Sequence, residues 1–190
     1  CAIGNMTVSL ELDRAAQRRG LASRFVPTGQ TGIAIAGWGI AVDAVVSDFL
    51  AGATERLVVE GHERGGELLF VEGQGAVTHP AYSGVTLGLI HGSAPHVFVL
   101  CHQAGSTEVD GYPGHPLLSL PELVELHEWI SLPARRARVA AIALNTRALD
   151  RDDAARAPMA RAQAETGLTA DDPVRFGADR ILDAVLATLG

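Results

Sequence analysis

Lysine is missing from this 190-residue chain: all 15 of its basic residues are arginine. A Schiff-base mechanism is thereby excluded, because it needs a side-chain amine that can lose its proton. No residue of this chain can replace a phosphate-loop lysine with a side-chain ammonium; only arginine or an N-terminal amine can stand in. Cysteine is also scarce, and its two residues, Cys1 and Cys101, form no C-x-x-C pair. A disulfide framework is excluded and a reducing cytoplasm is the expected compartment. Neither cysteine has a neighbouring cue for nucleophile activation, and Cys101, inside an apolar run, is expected to be buried. The seven histidines show no H-E-x-x-H or His/Cys spacing for zinc. The net charge is -7, and the only basic cluster is Arg135, Arg136 and Arg138, which leaves no electrostatic footprint for nucleic acid. The longest apolar runs, 97–101 and 139–144, fall far short of the roughly 20 residues that span a membrane. Internal repeats and low-complexity segments are absent, and the alanine- and arginine-rich stretch 148–163 reads as a solvated helix face.

What is present suits one packed core. A hydrophobic content of 47% is ample for it, and 190 residues are few for two, so residues 1–190 are expected to form a single domain. Short apolar runs alternate with longer helical patterns, the signature of a parallel sheet covered on both faces. Strands are expected at 24–27, 68–72, 97–102, 138–145 and near 172–174. Helices are expected at 6–19, 41–51, 82–90, 120–129, 152–166 and 178–189, the first ending at Gly20. Glycine-rich turns at 28–32 and 73–75 follow strand ends, where ligands bind in open α/β sheets.

Three segments carry chemistry. The first seven residues, Cys-Ala-Ile-Gly-Asn-Met-Thr, run into the amphipathic stretch 8–19. They read as the second half of a phosphate-binding loop, G-x-x-x-x-G-K-[ST], with Gly4 as its second glycine, Thr7 as its hydroxyl and Asn5 where the lysine belongs. Such a loop wraps phosphate in backbone N–H groups at a helix N-terminus, so Ile3, Gly4, Asn5, Met6 and Thr7 are the expected phosphate ligands. It also implies a strand ending just before Cys1, so the sequence is expected to be a carboxy-terminal fragment. Thr7 serves equally as an ordinary helix cap. The second segment, Val71-Glu72-Gly73-Gln74-Gly75, ends a buried strand with a carboxylate, where a nucleotide-binding protein holds Mg²⁺. Thr7 and Glu72 are the candidate metal ligands, although Glu72 at a strand end can also cap the turn. The third is Asn145-Thr146, placed either to hydrogen-bond a purine edge or to terminate its strand.

With these segments in this order, the chain resembles a known family. The resemblance runs through the loop above, Pro27-Thr28-Gly29-Gln30-Thr31-Gly32-Ile33, Ala36-Gly37-Trp38-Gly39-Ile40-Ala41-Val42-Asp43 and 71–75. It continues through His79-Pro80-Ala81-Tyr82-Ser83-Gly84, Gly88-Leu89-Ile90-His91-Gly92-Ser93, Leu144-Asn145-Thr146 and Asp172-Pro173-Val174-Arg175. The sequence is similar to the carboxy-terminal P-loop domain of a bacterial and archaeal family long described as a domain of unknown function, whose members are now named D-glutamate N-acetyltransferases. The resemblance implies a P-loop NTPase-like three-layer sandwich with a mostly parallel central sheet. It implies a small-molecule substrate and an additional amino-terminal α/β domain as partner in the parent chain. Glycine turns and exposed apolar positions suit a homo-oligomer without requiring one. The family loop carries lysine where this chain has Asn5. The lost unit charge represents about 4 kcal/mol of gross attraction at roughly 4 Å and an effective dielectric near 20.

The resemblance further implies an acetyl-CoA-dependent N-acetylation, which needs a neutral amine, a base and donors for the developing oxyanion. Glu72 and His79 are the candidate bases. Gln30, Thr31, Gly32, Asp43, Gln74 and Arg175 form the expected substrate set, Arg175 as partner of a carboxylate with Arg24 second. Asp43 can equally cap a helix. The segment 71–75 also resembles, in part, the Val-Glu-Gly-Ala-Gly of dethiobiotin synthetases, which supports an alternative, an ATP- and Mg²⁺-dependent ligase or kinase-like enzyme. A non-catalytic nucleotide-binding domain is the third reading. Two further patterns are set aside: Q-x-x-G-x-A at 17–22 ends a helix rather than starting one, and Gly84-Val85-Thr86-Leu87-Gly88 has threonine where a nucleophile elbow has serine.

Overall fold

The computed structural model describes residues 3–190. Its elements run α1 Asn5–Arg18, β1 Ser23–Val26, α2 Gln30–Ala36, a 3-10 turn Val42–Ala44, α3 Ser47–Glu63, β2 Leu68–Val71 and α4 Ser83–Ser93. They continue β3 Val97–Gln103, α5 Leu120–Ser131, β4 Arg138–Asn145, α6 Asp152–Thr166, β5 Thr169–Asp171 and α7 Asp179–Leu189. Every strand pairing is parallel: β1 with β2 in one sheet, and β3-β4-β5 in a second, with a register shift between Phe98 and Val99.

Parallel strands need helices on both faces, and three apolar clusters supply that cover. Val8, Leu12, Ala15 and Ala16 of α1 join Ile181 and Leu182 of α7 beneath Phe70, Ala141 and Ala143. On the opposite face Leu123 of α5 and Met159 and Ala162 of α6 cover Leu100, Ile142 and Leu144. Leu57 of α3 covers Val26 on that same face, with Leu69, Val71 and Val85 beside it. The result is the expected three-layer α/β arrangement. β4 is its centre: residues 139–144 are all buried, which is why the run is continuously apolar rather than alternating. α5 begins where Ser119 and Glu122 make a capping box around Pro121.

Three elements depart from the sequence expectation. The fifth strand is Thr169–Asp171, three residues earlier than expected, because Asp172 Oδ1 accepts the N–H groups of Val174 and Arg175 and folds 172–175 into a turn. The helix expected at 41–51 starts at Ser47, because Val42 N–H donates to Thr28 O and holds a 3-10 turn there. It runs on to Glu63 with Leu50, Thr54, Leu57 and Gly61 facing inward. The expected turn at 28–32 contains the start of α2, a short helix capped at its end by Gly37 with φ 74°.

α4 packs chiefly against α3, and its glycines set how closely. A Cβ at Gly92 would lie 2.1 Å from the Ala51 carbonyl oxygen, and one at Gly88 would lie 2.3 Å from Leu50 Cδ2. Gly92→Ala is expected to destabilise the fold by about 1–3 kcal/mol through overpacking against backbone. Gly84→Ala, on the same helix with nothing within 4 Å of the added carbon, is expected to be neutral or stabilising. Urea unfolding of the two variants measures the difference, and equal stabilities would contradict the close approach.

Candidate active site

Loops at the carboxyl ends of β1 and β2 meet the N-terminus of α1 around one cleft. Gly4, at φ 102°, turns the chain into α1 without any side-chain cap. The next residue supplies the joint: Asn5 Nδ2 donates to the carbonyls of Gly73 at 2.5 Å and Gln74 at 3.0 Å, while Asn5 Oδ1 accepts Met6 N–H at 3.0 Å. The side chain that stands in the lysine position is therefore fully engaged with backbone. It staples the loop after β2 to the start of α1.

Glu72, 6% exposed, makes the second joint. Its Oε2 accepts the N–H groups of Thr28 at 2.8 Å and Gly29 at 3.1 Å, and its backbone carbonyl accepts the Thr28 hydroxyl at 2.9 Å. Gln74 Nε2 donates to that same hydroxyl oxygen at 2.8 Å. Gly32 has to be glycine here, since a Cβ would sit 2.4 Å from Glu72 Oε2. One carboxylate oxygen is pinned; Oε1 has no hydrogen bond among the described residues.

These joints bound a cleft of about 480 Å³ lined by Asn5, Met6, Gly29, Gln30, Thr31, Asp43, Glu72, Gly73, Gln74, Gly75, Tyr82 and Val85. Its charged side chains are Asp43 and Glu72, both acidic, and no arginine or histidine lines it among the described residues. Of the residues singled out in the sequence, Asn5, Met6, Gln30, Thr31, Asp43, Glu72 and Gln74 come together here. The others do not line it. Gly32 lies under Glu72, and Thr7 sits in the first turn of α1. Ile3 O and Asn145 Nδ2 hydrogen-bond at 2.9 Å, and Asn145 Oδ1 accepts Arg147 N–H, so that amide ties β4 to the start of α1. Thr146 is fully buried and bonds through its N–H and hydroxyl to Asp172 Oδ2. Arg175 donates to the carbonyls of Thr146 and Leu149 and pairs with Asp152. Arg24 donates to the backbone carbonyls of Arg64 and Ser23. Cys1 lies outside the described residues.

His79, 5% exposed, stands behind the cleft with its ring 4.3 Å from that of Tyr82 and 4.9 Å from that of Tyr112. Its Nδ1 accepts the Ala81 N–H, so Nε2 carries the ring proton and the imidazole is a donor in this arrangement. Of the two candidate bases, Glu72 alone lines the cleft. Tyr82 was not singled out in the sequence, although it lies three residues beyond His79 in the same quoted segment. Its ring, 47% exposed, is backed by His79 and pressed on Gly75, whose Cβ would lie 2.4 Å from Tyr82 Cβ.

Among the described residues no group of three or more His, Cys, Asp or Glu side chains is placed to hold a metal ion. Cys101, expected to be buried, is half-buried in β3, and desolvation pushes its thiol up to about 12; burial lowers His102 and His127. A second cleft of about 390 Å³, between α6, β5 and α7, has both arginines engaged: Arg180 pairs with Asp171 at 2.9 Å and Arg156 stacks 4.6 Å above Phe176. No described helix is long and apolar enough to cross a membrane.

Comparison with known proteins places this cleft in context. The model of a domain of unknown function, the DUF1611 P-loop domain, matches residues 1–182. The chain is 40% identical to a D-glutamate N-acetyltransferase of Tritonibacter scottomollicae over 98% of its own length and 56% of the relative's. It is 34% identical to a D-glutamate N-acetyltransferase of a Pseudoalteromonas species over 96% of its length and 54% of the relative's. The crystal structure of a DUF1611 family protein from Anabaena variabilis superposes with a TM-score of 0.93 at 46% identity, covering 98% of this chain and 54% of that one. The chain thus spans about half the length of the proteins it matches.

The Asn5 staple makes a testable claim about this site. Asn5→Ala, which removes both donations to the Gly73 and Gln74 carbonyls, is expected to cost about 1–3 kcal/mol. Asn5→Asp is expected to cost more, because it sets a carboxylate against those two carbonyl oxygens. Denaturant unfolding ranks the two, and an Asp variant as stable as wild type would show that Asn5 does not staple the loops.

Proposed function

The chain belongs to the DUF1611 family, and from that membership we propose that it is the P-loop domain of an enzyme transferring an acetyl group to the amine of D-glutamate. The observation that carries this reading, beyond the relatives' names, is the charge of the cleft. Its two charged side chains are carboxylates, which suit the ammonium of an amino acid and repel a triphosphate, so the amine end of glutamate enters this lining and its carboxylates face away from Asp43 and Glu72. Asp43, exposed on its 3-10 turn, holds the ammonium as it enters. Acylation needs the amine neutral, and Glu72 is oriented to accept its proton, since Thr28 and Gly29 fix Oε2 while Oε1 has no hydrogen bond among the described residues. The Tyr82 phenol, backed by His79, is with Thr31 one of the cleft's two side-chain O–H donors and serves a carbonyl oxygen gaining charge.

Acetyl-CoA would supply an acyl carbonyl with a thiol leaving group. The residues present fit its thioester end and not its phosphates, because the described lining offers no cationic side chain. The polyphosphate end therefore lies outside the cleft. A volume of about 480 Å³ accommodates a glutamate together with that thioester end.

The reading is tested on the full-length parent protein with acetyl-CoA and either D- or L-glutamate, following free thiol and product mass. Thiol release dependent on D-glutamate is the expected result. Mg²⁺-dependent ATP binding without acetyl transfer would replace this reading with the ligase-type alternative. Glu72→Gln preserves an oxygen for Thr28 and Gly29 and removes the base, so kcat is expected to fall about 10²- to 10⁴-fold with an unchanged circular dichroism spectrum. Near-normal turnover would remove Glu72 from the chemistry.

A further inference from the structure

The groove between α6, β5 and α7 has a lining opposite in charge to that of the cleft beyond β1 and β2. Met159, 5% exposed, forms an apolar floor with Ala160 and Ala164 beside it, and the charged side chains are Arg156 and Arg180. In a chain of net charge -7, carboxylates line the cleft and guanidinium groups line this groove. Each arginine is held from one side only. Arg180 donates through Nη1 to Asp171 Oδ2, and its Nε and Nη2 have no hydrogen bond among the described residues. Arg156 lies over the Phe176 ring and makes no hydrogen bond or ion pair among the described residues, which leaves its fork of N–H donors available. Gln163 adds an amide side chain that is likewise without a partner among them.

The floor also carries an orphaned backbone group. Ala104 N–H donates to Asn145 O, so the N–H and C=O of Asn145 face β3, and by alternation those of Ile142 face β5. Ile142 stands opposite Ala170 and therefore bonds to Thr169 and Asp171 on either side of it. The N–H and C=O of Ala170 point away from β4, to the open edge of the sheet. On that edge the neighbouring N–H groups are satisfied locally: Leu168 donates to Thr166 Oγ1, and Asp172 to Asp171 Oδ1. Ala170 has no such partner among the described residues, although it is only 2% exposed. Buried backbone donors are almost always paired, and this one belongs to a residue that lines the groove.

We propose that this groove is a second ligand site and that it takes a small N-acylated dicarboxylic amino acid. Each part of such a molecule meets a matching part of the lining. Two carboxylates pair with Arg156 and Arg180, a secondary amide offers one C=O and one N–H to Ala170, and the carbon chain lies on Met159, Ala160 and Ala164. A free amino acid is a poorer match, because its ammonium would face guanidinium groups while Asp171 is committed to Arg180 and to Asp172 N–H. An added strand is also a poorer match, since β5 is three residues long and turns the N–H and C=O of one residue, Ala170, to the edge. A volume of about 390 Å³ suits a single small molecule. The choice of ligand rests on the proposed acetyl transfer. Acylation removes the ammonium that suits the acidic cleft and leaves a dianion that suits the basic groove, so the groove binds the product of that reaction in preference to its substrate.

NMR titration of the full-length parent protein with N-acetyl-D-glutamate tests this. The Ala170 backbone amide and the Gln163 side-chain amide are expected to shift saturably. D-Glutamate, which carries an ammonium, and N-acetyl-D-alanine, which has one carboxylate, are each expected to bind about 10-fold more weakly or worse. Arg156 is exposed and has no hydrogen bond to lose, so Arg156→Ala is expected to keep the fold and weaken binding about 10-fold. Arg156→Lys, which keeps the charge without the fork, is expected to recover part of that loss. An Ala170 amide that does not move, or binding indifferent to Arg156→Ala, would overturn the site. Equal shifts with sulfate at matched ionic strength would show an adventitious ion only, and shifts confined to 72–75 would put the molecule in the acidic cleft; either result overturns the proposal. None of these readings involves turnover. A responsive Ala170 without acetyl transfer would overturn the reaction alone, and acetyl transfer with a silent Ala170 would overturn the groove alone.

Discussion

A buried carboxylate holds the ligand-binding end of this molecule together. Glu72 accepts two backbone N–H groups at the start of α2, and its own carbonyl takes the Thr28 hydroxyl, so the loops after β1 and β2 become one unit. Gln74 reaches back to the same Thr28 oxygen, and Asn5 adds the start of α1 through the Gly73 and Gln74 carbonyls. Hydrogen bonds of this kind are individually modest, but each joins elements far apart in sequence, and leaving any of the buried groups unpaired costs more than making the bond gains. The glycines follow from it. Gly32 leaves room for the Glu72 carboxylate, and Gly29 lies close against Glu72 and Gln74.

The same network explains how a phosphate-loop framework can persist without its lysine. An ammonium at Asn5 would have one charged group facing two carbonyls, with Asp43 and Glu72 beside the cleft it borders. The amide instead bridges the loops and keeps their geometry without a cation. The absence of lysine from the whole chain means that no other ammonium side chain restores the lost charge. Arginine does not replace it either: Arg175 and Arg24 are occupied by backbone carbonyls.

Much of the fold was legible because burial leaves a pattern. β4 shows as a continuous apolar run since both its faces are covered. β5 was displaced because Val174 mimics a strand residue, whereas the true strand ends in Asp171, whose carboxylate pairs with Arg180. α3 runs on past Gly52 and Gly61 to Glu63, beyond the expected end at 51; Gly61 is a close approach, its Cβ position lying 3.0 Å from Val26 Cγ2. In the site, Glu72, Gln74, Asp43 and Asn5 were visible as polar residues at strand ends and turns. Their partners were not, because Asn5 bonds to carbonyls 68 and 69 residues away. The Asn145 and Thr146 side chains face inward to Ile3 and Asp172 for the same reason: long-range backbone partners leave no mark on local sequence.

The start of α1 is held from both sheets at once. Asn145 grips Ile3 from the end of β4, and Asn5 grips the loop after β2. Of the two readings of Asn145, the structure shows its amide bonded to backbone, Nδ2 to Ile3 O and Oδ1 to Arg147 N–H. That amide does at the end of β4 what Asn5 does at the end of β2, fixing where the chain enters α1. Two neutral amides, one on either side of that entry, locate Met6 and the first turn of α1 relative to Glu72 without placing a cation in the cleft. The sheets' architecture thereby sets the distance between the Glu72 carboxylate and the wall of the cleft that Asn5 and Met6 supply.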